Sequence, residues 1–220
     1  NIADASLGAA APSEKGVPPK YSTLIYFNNR IFMNDTDNPS FVWYTDLNEP
    51  YTVASTNFQI VGDTATDLVV GFGVQDTSLV VFCQRSVYMI YMDDTTPANW
   101  RVVKANSPYS TKSPHGVFNY KNKLRFPAVQ NDKFVGVAAL SGESLASTAS
   151  VLENVTAGSD LISDRIEPDM FDIQESYVAN ISSIVYKNKA YIAVTYGSGA
   201  TTNNRIYLFD FSISNLSKKQ

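Results

Sequence analysis

The chain is poor in the residues from which most enzyme and metal sites are built. Its 220 residues include one cysteine, Cys83, and one histidine, His115. A single cysteine excludes an internal disulfide and any multi-cysteine metal site. Its place inside the apolar run LVVFC assigns it to a core as an inert thiol. Zinc sites of the ordinary kind and His-based triads would have only His115 to draw on, and within SPHGV it reads as a turn residue at a strand entrance. Charge is scarce as well. Only 17% of residues are charged and the net charge is −4, a balance that argues against a nucleic-acid-binding surface. No apolar run reaches the length of a membrane span.

The motifs of nucleophilic and phosphate chemistry are missing too. There is no G-x-S-x-G elbow and no Walker loop, and Gly197-Ser198-Gly199 reads as a hairpin tip. A glycosidase needs two carboxyl groups about 5–10 Å apart. Asp93-Asp94, Asp164 with Glu167 and Asp169, and Asp172 with Glu175 are the candidates, but all lie in turn-like segments without an aromatic platform, where solvated loop charges are expected. Asn34–Asn38 (NDTDN) alternates oxygen ligands loosely as a calcium loop does, yet lacks the central Gly and the later Glu, which favours an Asx-type turn. Sequons at Asn34, Asn154, Asn180 and Asn215 are about what an Asn/Ser/Thr-rich chain shows by chance. No catalytic, cofactor-binding or metal residue, no cofactor and no small-molecule ligand is assigned, and the chain is expected not to be an enzyme.

What is abundant is β-forming material. Thirteen Tyr and twelve Phe, with 44% hydrophobic residues overall, favour strands and supply a core. No segment keeps a helical period over three turns. Short β-branched and aromatic runs alternate with turn residues instead, most regularly from Leu68 to Leu140. The pairs Asn29-Arg30, Thr77-Ser78, Asn122-Lys123 and Asn188-Lys189 mark equivalent turns; the first two intervals are about 45–48 residues and the last about 66. That period and four short strands per unit predict an all-β, propeller-like array of about four four-stranded antiparallel blades, part of a larger propeller.

Residues 1–20 read as an N-terminal arm or linker, 21–215 as the propeller-like domain with an insertion over 141–178, and 216–220 as a tail. The third unit's fourth strand is expected at Val151–Val155, and a short helix near Asp164–Met170. The fourth unit lacks a fourth strand. Three explanations stand open: the polypeptide continues, residues near Ala5–Ala9 close the ring, or the chain associates with its own copies. Outward-facing aromatics such as Tyr44 and Tyr91 are expected to meet a neighbouring subunit.

The runs KYSTLIYFNNRIFM and NPSFVWYTDLNEP, then LVVFCQRSVYMI with NWRV, and finally NRIYLFDFS, carry a family resemblance. Over about residues 18–215 the chain resembles the tail nozzle, or tubular tail, proteins of short-tailed bacteriophages. The resemblance implies a β-propeller structural protein of the virion, assembled in the bacterial cytoplasm. It would form a subunit of a DNA conduit through blade-loop contacts with its own copies and with neighbouring tail or connector proteins, while DNA passes without specific binding. The alternatives are a propeller binding module for a glycan or protein and, behind it, a propeller glycoside hydrolase.

Overall fold

The computed structural model describes residues 16–62, 66–141, 158–161 and 172–211. Their strands form four antiparallel sheets. Sheet 1 holds β1 (Leu24–Phe27), β2 (Arg30–Asn34), β3 (Phe41–Tyr44) and β4 (Phe58–Ile60). Sheet 2 holds β5 (Val69–Gln75), β6 (Ser78–Cys83), β7 (Val87–Tyr91) and β8 (Arg101–Lys104). Sheet 3 holds β9 (Phe118–Tyr120), β10 (Lys123–Gln130), β11 (Lys133–Ser141) and β12 (Gly158–Leu161), and sheet 4 holds β13 (Ser182–Tyr186), β14 (Lys189–Val194) and β15 (Arg205–Asp210). In every sheet the strands lie side by side in chain order. The first strands of successive sheets are neighbours, β1 beside β5, β5 beside β9 and β9 beside β13, as the inner strands of propeller blades are. The fold is all-β and propeller-like, with blades of four, four, four and three strands.

Local chemistry explains each hairpin. Asn28-Asn29, Lys121-Asn122 and Lys187-Asn188 all have positive φ at both residues, the geometry of a two-residue turn whose twist suits the flanking strands. Asn28-Asn29 is the two-residue turn the sequence suggests, while the Lys121-Asn122 and Lys187-Asn188 turns begin one residue earlier than the pairs Asn122-Lys123 and Asn188-Lys189 read from it. Gly73 lets the inner strand of sheet 2 approach sheet 3, since a Cβ there would lie 2.7 Å from Leu124 Cδ1.

Strand alternation then sorts the core. The second and fourth residues after each hairpin turn face the preceding sheet: Leu79 and Val81 pack with sheet 1, Leu124 and Phe126 with sheet 2, and Ala190 and Ile192 with sheet 3. The third residue faces the following sheet, as Phe32 and Val80 do. Sheets 2 and 3 are thus covered by a sheet on both faces, and sheets 1 and 4 by a sheet on one, although Met33 on the outer face of sheet 1 is itself buried.

Two expectations need correction. Tyr44 and Tyr91 do not face a neighbour: each is only 4% exposed, Tyr44 against the rings of Phe32 and Trp100, and Tyr91 in the core between sheets 2 and 3. Alternation identifies two faces of a strand without saying which are covered. Val151–Val155 and Asp164–Met170 lie outside the described residues. The strand that pairs with β11 is Gly158–Leu161, and a 3-10 helix occupies Glu175–Asn180, with Val178 buried between sheets 3 and 4.

Candidate functional site

Most polar residues singled out from the sequence hold the fold's own backbone. In the 34–38 loop, Asn34 is buried; its Oδ1 accepts from the Ser22 and Thr23 N–H groups at 2.9 and 3.0 Å, and its Nδ2 donates to Ser22 Oγ. Asp35 is buried beside it. One carboxylate oxygen accepts from the backbone N–H of Asp37 and Asn38 at 2.8 and 3.0 Å, the other from Asn38 Nδ2 and Trp43 Nε1 at 3.1 and 3.0 Å. The loop is an Asx-type turn whose oxygens are occupied by the protein's own donors. Burial on its own would raise the Asp35 pKa. The hydrogen bonds from Asn38, Asp37 and Trp43 together outweigh it and hold the carboxyl below its ordinary 3.8.

The sign follows from linkage. A depressed folded-state pKa gives stability that is present above the ordinary value and lost as pH falls through the lower one. Urea unfolding across an acid series is expected to show stability declining as pH drops below 3.8, with a shallower decline in Asp35→Asn. An unchanged slope in that variant would remove Asp35 from the account.

The other candidates are dispersed. Asp93 Oδ2 pairs with Arg101 Nη2 at 2.6 Å. Asp94 caps the turn before β8, accepting from Thr96 N at 2.8 Å and Asn99 Nδ2 at 2.7 Å, and these bonds lower its pKa. Asp164, Glu167, Asp169, Asn154 and Asn215 lie outside the described residues. Asp172 accepts from the Tyr196 hydroxyl at 3.0 Å, while Glu175 opens the 3-10 helix. His115 is exposed and contributes its carbonyl, which accepts from Ser183 N at 3.0 Å and ties sheet 3 to sheet 4. Gly197 and Gly199 shape an open tip with φ of 83° and 80°. Among the described residues, no group of three or more His, Cys, Asp or Glu is placed to hold a metal ion, and no helix is long and apolar enough to cross a membrane.

Cys83 is fully buried, and burial, with Asp67 nearby, pushes its thiol up to about 12. At pH 8 the thiolate fraction is then on the order of one in ten thousand. A colorimetric thiol reagent is expected to leave the native chain unmodified and to titrate one thiol after unfolding. Rapid native labelling would contradict this burial.

The residues that sequence reasoning passed over lie in the joints between blades. Arg30 is buried, its guanidinium 5.5 Å from the ring centroids of both Tyr44 and Trp100, with Nη1 donating to the Thr45 carbonyl at 2.6 Å. Asp67, just before β5, accepts from the Arg85 N–H at 2.7 Å and from the Ser86 hydroxyl. Ser113 Oγ reaches the Ile181 carbonyl, and Ser183 Oγ donates to the Gly116 carbonyl at 2.8 Å. The one available signal was the position of Arg30 directly after a turn in an otherwise apolar strand.

Among the described residues, two kinds of surface stand out for outside contact. A polar cleft of about 390 Å³ runs between the turns of sheets 2 and 3, lined in part by Gln84, Arg85, Asn131 and Asp132. Asp132 bridges Arg85 and Lys112, each at 3.1 Å, and these bonds lower its pKa. The second surface is apolar. On sheet 1, Leu24, Tyr26 and Ile60 are exposed; on sheet 4, Ile184, Tyr186, Ile206 and Leu208 are.

No family model and no curated protein matches the chain. Among solved structures it is similar to human WBSCR16, at 10% identity and a TM-score of 0.35 over 86% of this chain and 53% of that one. It is also similar to a putative exported protein of Bacteroides fragilis, at 9% identity and a TM-score of 0.33 over 92% of this chain and 74% of that one. The chain spans about half the length of the human protein. Likeness of this degree leaves the functional reading to the residues themselves.

Proposed function

We propose that the chain is a structural component of a phage tail, a subunit of the nozzle or tail tube that contributes to a DNA conduit. The observation that carries this reading is the contrast between the middle and the ends of the array. Sheets 2 and 3 are sealed on both faces into a stiff block, while the end sheets expose aliphatic and aromatic side chains suited to assembly. Asn34, Asp35, Asp67 and Asp94 serve caps and joints of the fold. A net charge of −4 fits a wall along which DNA slides without binding. The partners are copies of the chain and neighbouring tail or connector proteins, met after synthesis in the bacterial cytoplasm.

An antibody raised against the purified chain tests the assignment on virions from the genome that encodes it. Tail labelling in electron micrographs is the expected result; unlabelled virions alongside antigen in the lysate would overturn it. A second reading, a propeller binding module for a glycan or protein, draws on the polar cleft between the sheet 2 and sheet 3 turns. It ranks lower because no aromatic ring lines that cleft as a platform for a sugar. Saturable binding on a glycan array, lost in Asn131→Ala, would promote it.

A further inference from the structure

Arg30 is a buried cation without an anion. It is 8% exposed, and among the described residues no carboxylate lies within 4 Å of its guanidinium. Asp46, one residue past Thr45, instead accepts from Asn57 Nδ2 at 2.7 Å. The Thr45 carbonyl is the single hydrogen-bond acceptor that the guanidinium meets among the described residues. The rings of Tyr44 and Trp100 offset part of the cost of burying the charge, but they give its remaining N–H groups no acceptor. Those groups are not sealed in the core, because among the described residues only Arg125 Nε is a buried side-chain nitrogen or oxygen lacking a partner. The free edge of the Arg30 guanidinium therefore reaches open space.

That space is a pocket of about 190 Å³ at the turn end of sheet 1. Arg30 lines it together with Asn29, Thr45 and Asn48, and none of its described lining is acidic. Asn29 Oδ1 accepts from the Tyr26 hydroxyl at 2.9 Å, which leaves its Nδ2 as a donor. The Thr45 hydroxyl accepts from Ile31 N at 3.0 Å and keeps its own proton to give. Ile31 and Pro50 add carbon to the wall. We propose that this pocket binds a carboxylate, its head group on the free edge of Arg30 and a short hydrocarbon stem against Ile31 and Pro50. Charge and shape select the class. One fixed positive charge matches a monoanion, whereas a phosphate dianion would want a second cation that the described lining lacks. A planar guanidinium also meets a planar carboxylate edge to edge. A free acid and the glutamate side chain of a bound protein present this same head group. The site does not depend on the tail assignment.

An NMR titration of the nitrogen-15-labelled chain with sodium propionate, at constant ionic strength, tests it. The expected result is one saturable set of shifts at the Arg30 side-chain N–H and the amides of Thr45 and Asn48. Asn48 is exposed, and its φ of 61° is one that aspartate also adopts. Asn48→Asp adds a fixed negative charge to the lining and should weaken propionate binding by about tenfold or more without lowering the urea midpoint. Arg30→Met should abolish binding, and Asn48→Asp decides the matter if the methionine chain fails to fold. A parallel titration with glutamate blocked at both main-chain ends distinguishes the sources. Tighter binding than propionate marks a protein side chain, and weaker binding a free acid. Shifts that rise without saturating, or that fall equally on Arg85 and Lys112, would mean adventitious association with surface cations and would overturn the site. So would propionate binding unchanged in Asn48→Asp, or inorganic phosphate bound as tightly as propionate.

Discussion

Truncating Phe126 to alanine is expected to cost about 3–5 kcal/mol, enough to threaten the fold at physiological temperature. Phe126 is fully buried, its ring centroid 4.8 Å from that of Phe82 at an interplanar angle of 54°. The two rings are the largest fully buried side chains in the joint between sheets 2 and 3, where Val80, Met89, Ala138 and Leu140 lie in the same cluster. Both sheets are pinned by their other neighbours, so the space left by the ring cannot close, and a cavity penalty adds to the lost transfer energy. The loss should appear in urea unfolding as a lower midpoint with an unchanged m-value. A cycle with Phe82→Ala should return a favourable coupling of roughly 0.5–1.5 kcal/mol. Phe58→Ala serves as the control. Phe58 also stacks on an aromatic ring, Phe41 at 4.5 Å, but on the uncovered face of sheet 1, and it should cost clearly less. Equal costs at positions 126 and 58 would mean that the sheets are not stacked as described.

Asp67→Ala is expected to remove about 3 kcal/mol by a different route. Its carboxylate joins the segment entering β5 to the Arg85-Ser86 turn between β6 and β7. The same turn receives Cys83 N at its Ser86 carbonyl at 2.8 Å and has Ser110 Oγ within 2.9 Å of that carbonyl, so three segments meet there. Alanine would leave the buried Ser86 hydroxyl without its acceptor, at roughly 1–3 kcal/mol, and the part-buried Arg85 N–H without its charged one, at a smaller cost. Asparagine keeps an oxygen for Arg85 N–H and a polar group for Ser86, so Asp67→Asn should cost about a third as much. If the two variants were equally damaged, the hydrogen bonds at this knot would not be the cause.

The strand order was legible because the sequence states it locally. Runs such as LVVFC and VYMI are bounded by polar turn residues, and the observed strands β6 (Ser78–Cys83) and β7 (Val87–Tyr91) fall on them. The third and fourth of the equivalent turns were read one residue late because lysine is no signal for left-handed backbone, yet Lys121 and Lys187 occupy it at φ 49° and 46°. The strand at Gly158–Leu161 escaped notice because GSDL has little β character; pairing with β11 places it. Face assignment failed at Tyr44 and Tyr91 because coverage depends on sheets distant in sequence. The joints at Arg30 and Asp67 were illegible for the same reason. Asp67 and Ser86 are ordinary polar residues until folding brings them together.

The central claim is a serial stack whose inner sheets are covered on both faces and whose end sheets are covered on one. Native-state hydrogen exchange tests it most directly. β2, β6, β10 and β14 each have a hydrogen-bonded strand on both sides, so ladder position is matched and only face coverage differs. Amides of β6 and β10 should exchange slowest, through global unfolding alone, and those of β2 and β14 measurably faster. Protection of β2 and β14 equal to that of β6 and β10 would contradict the stack.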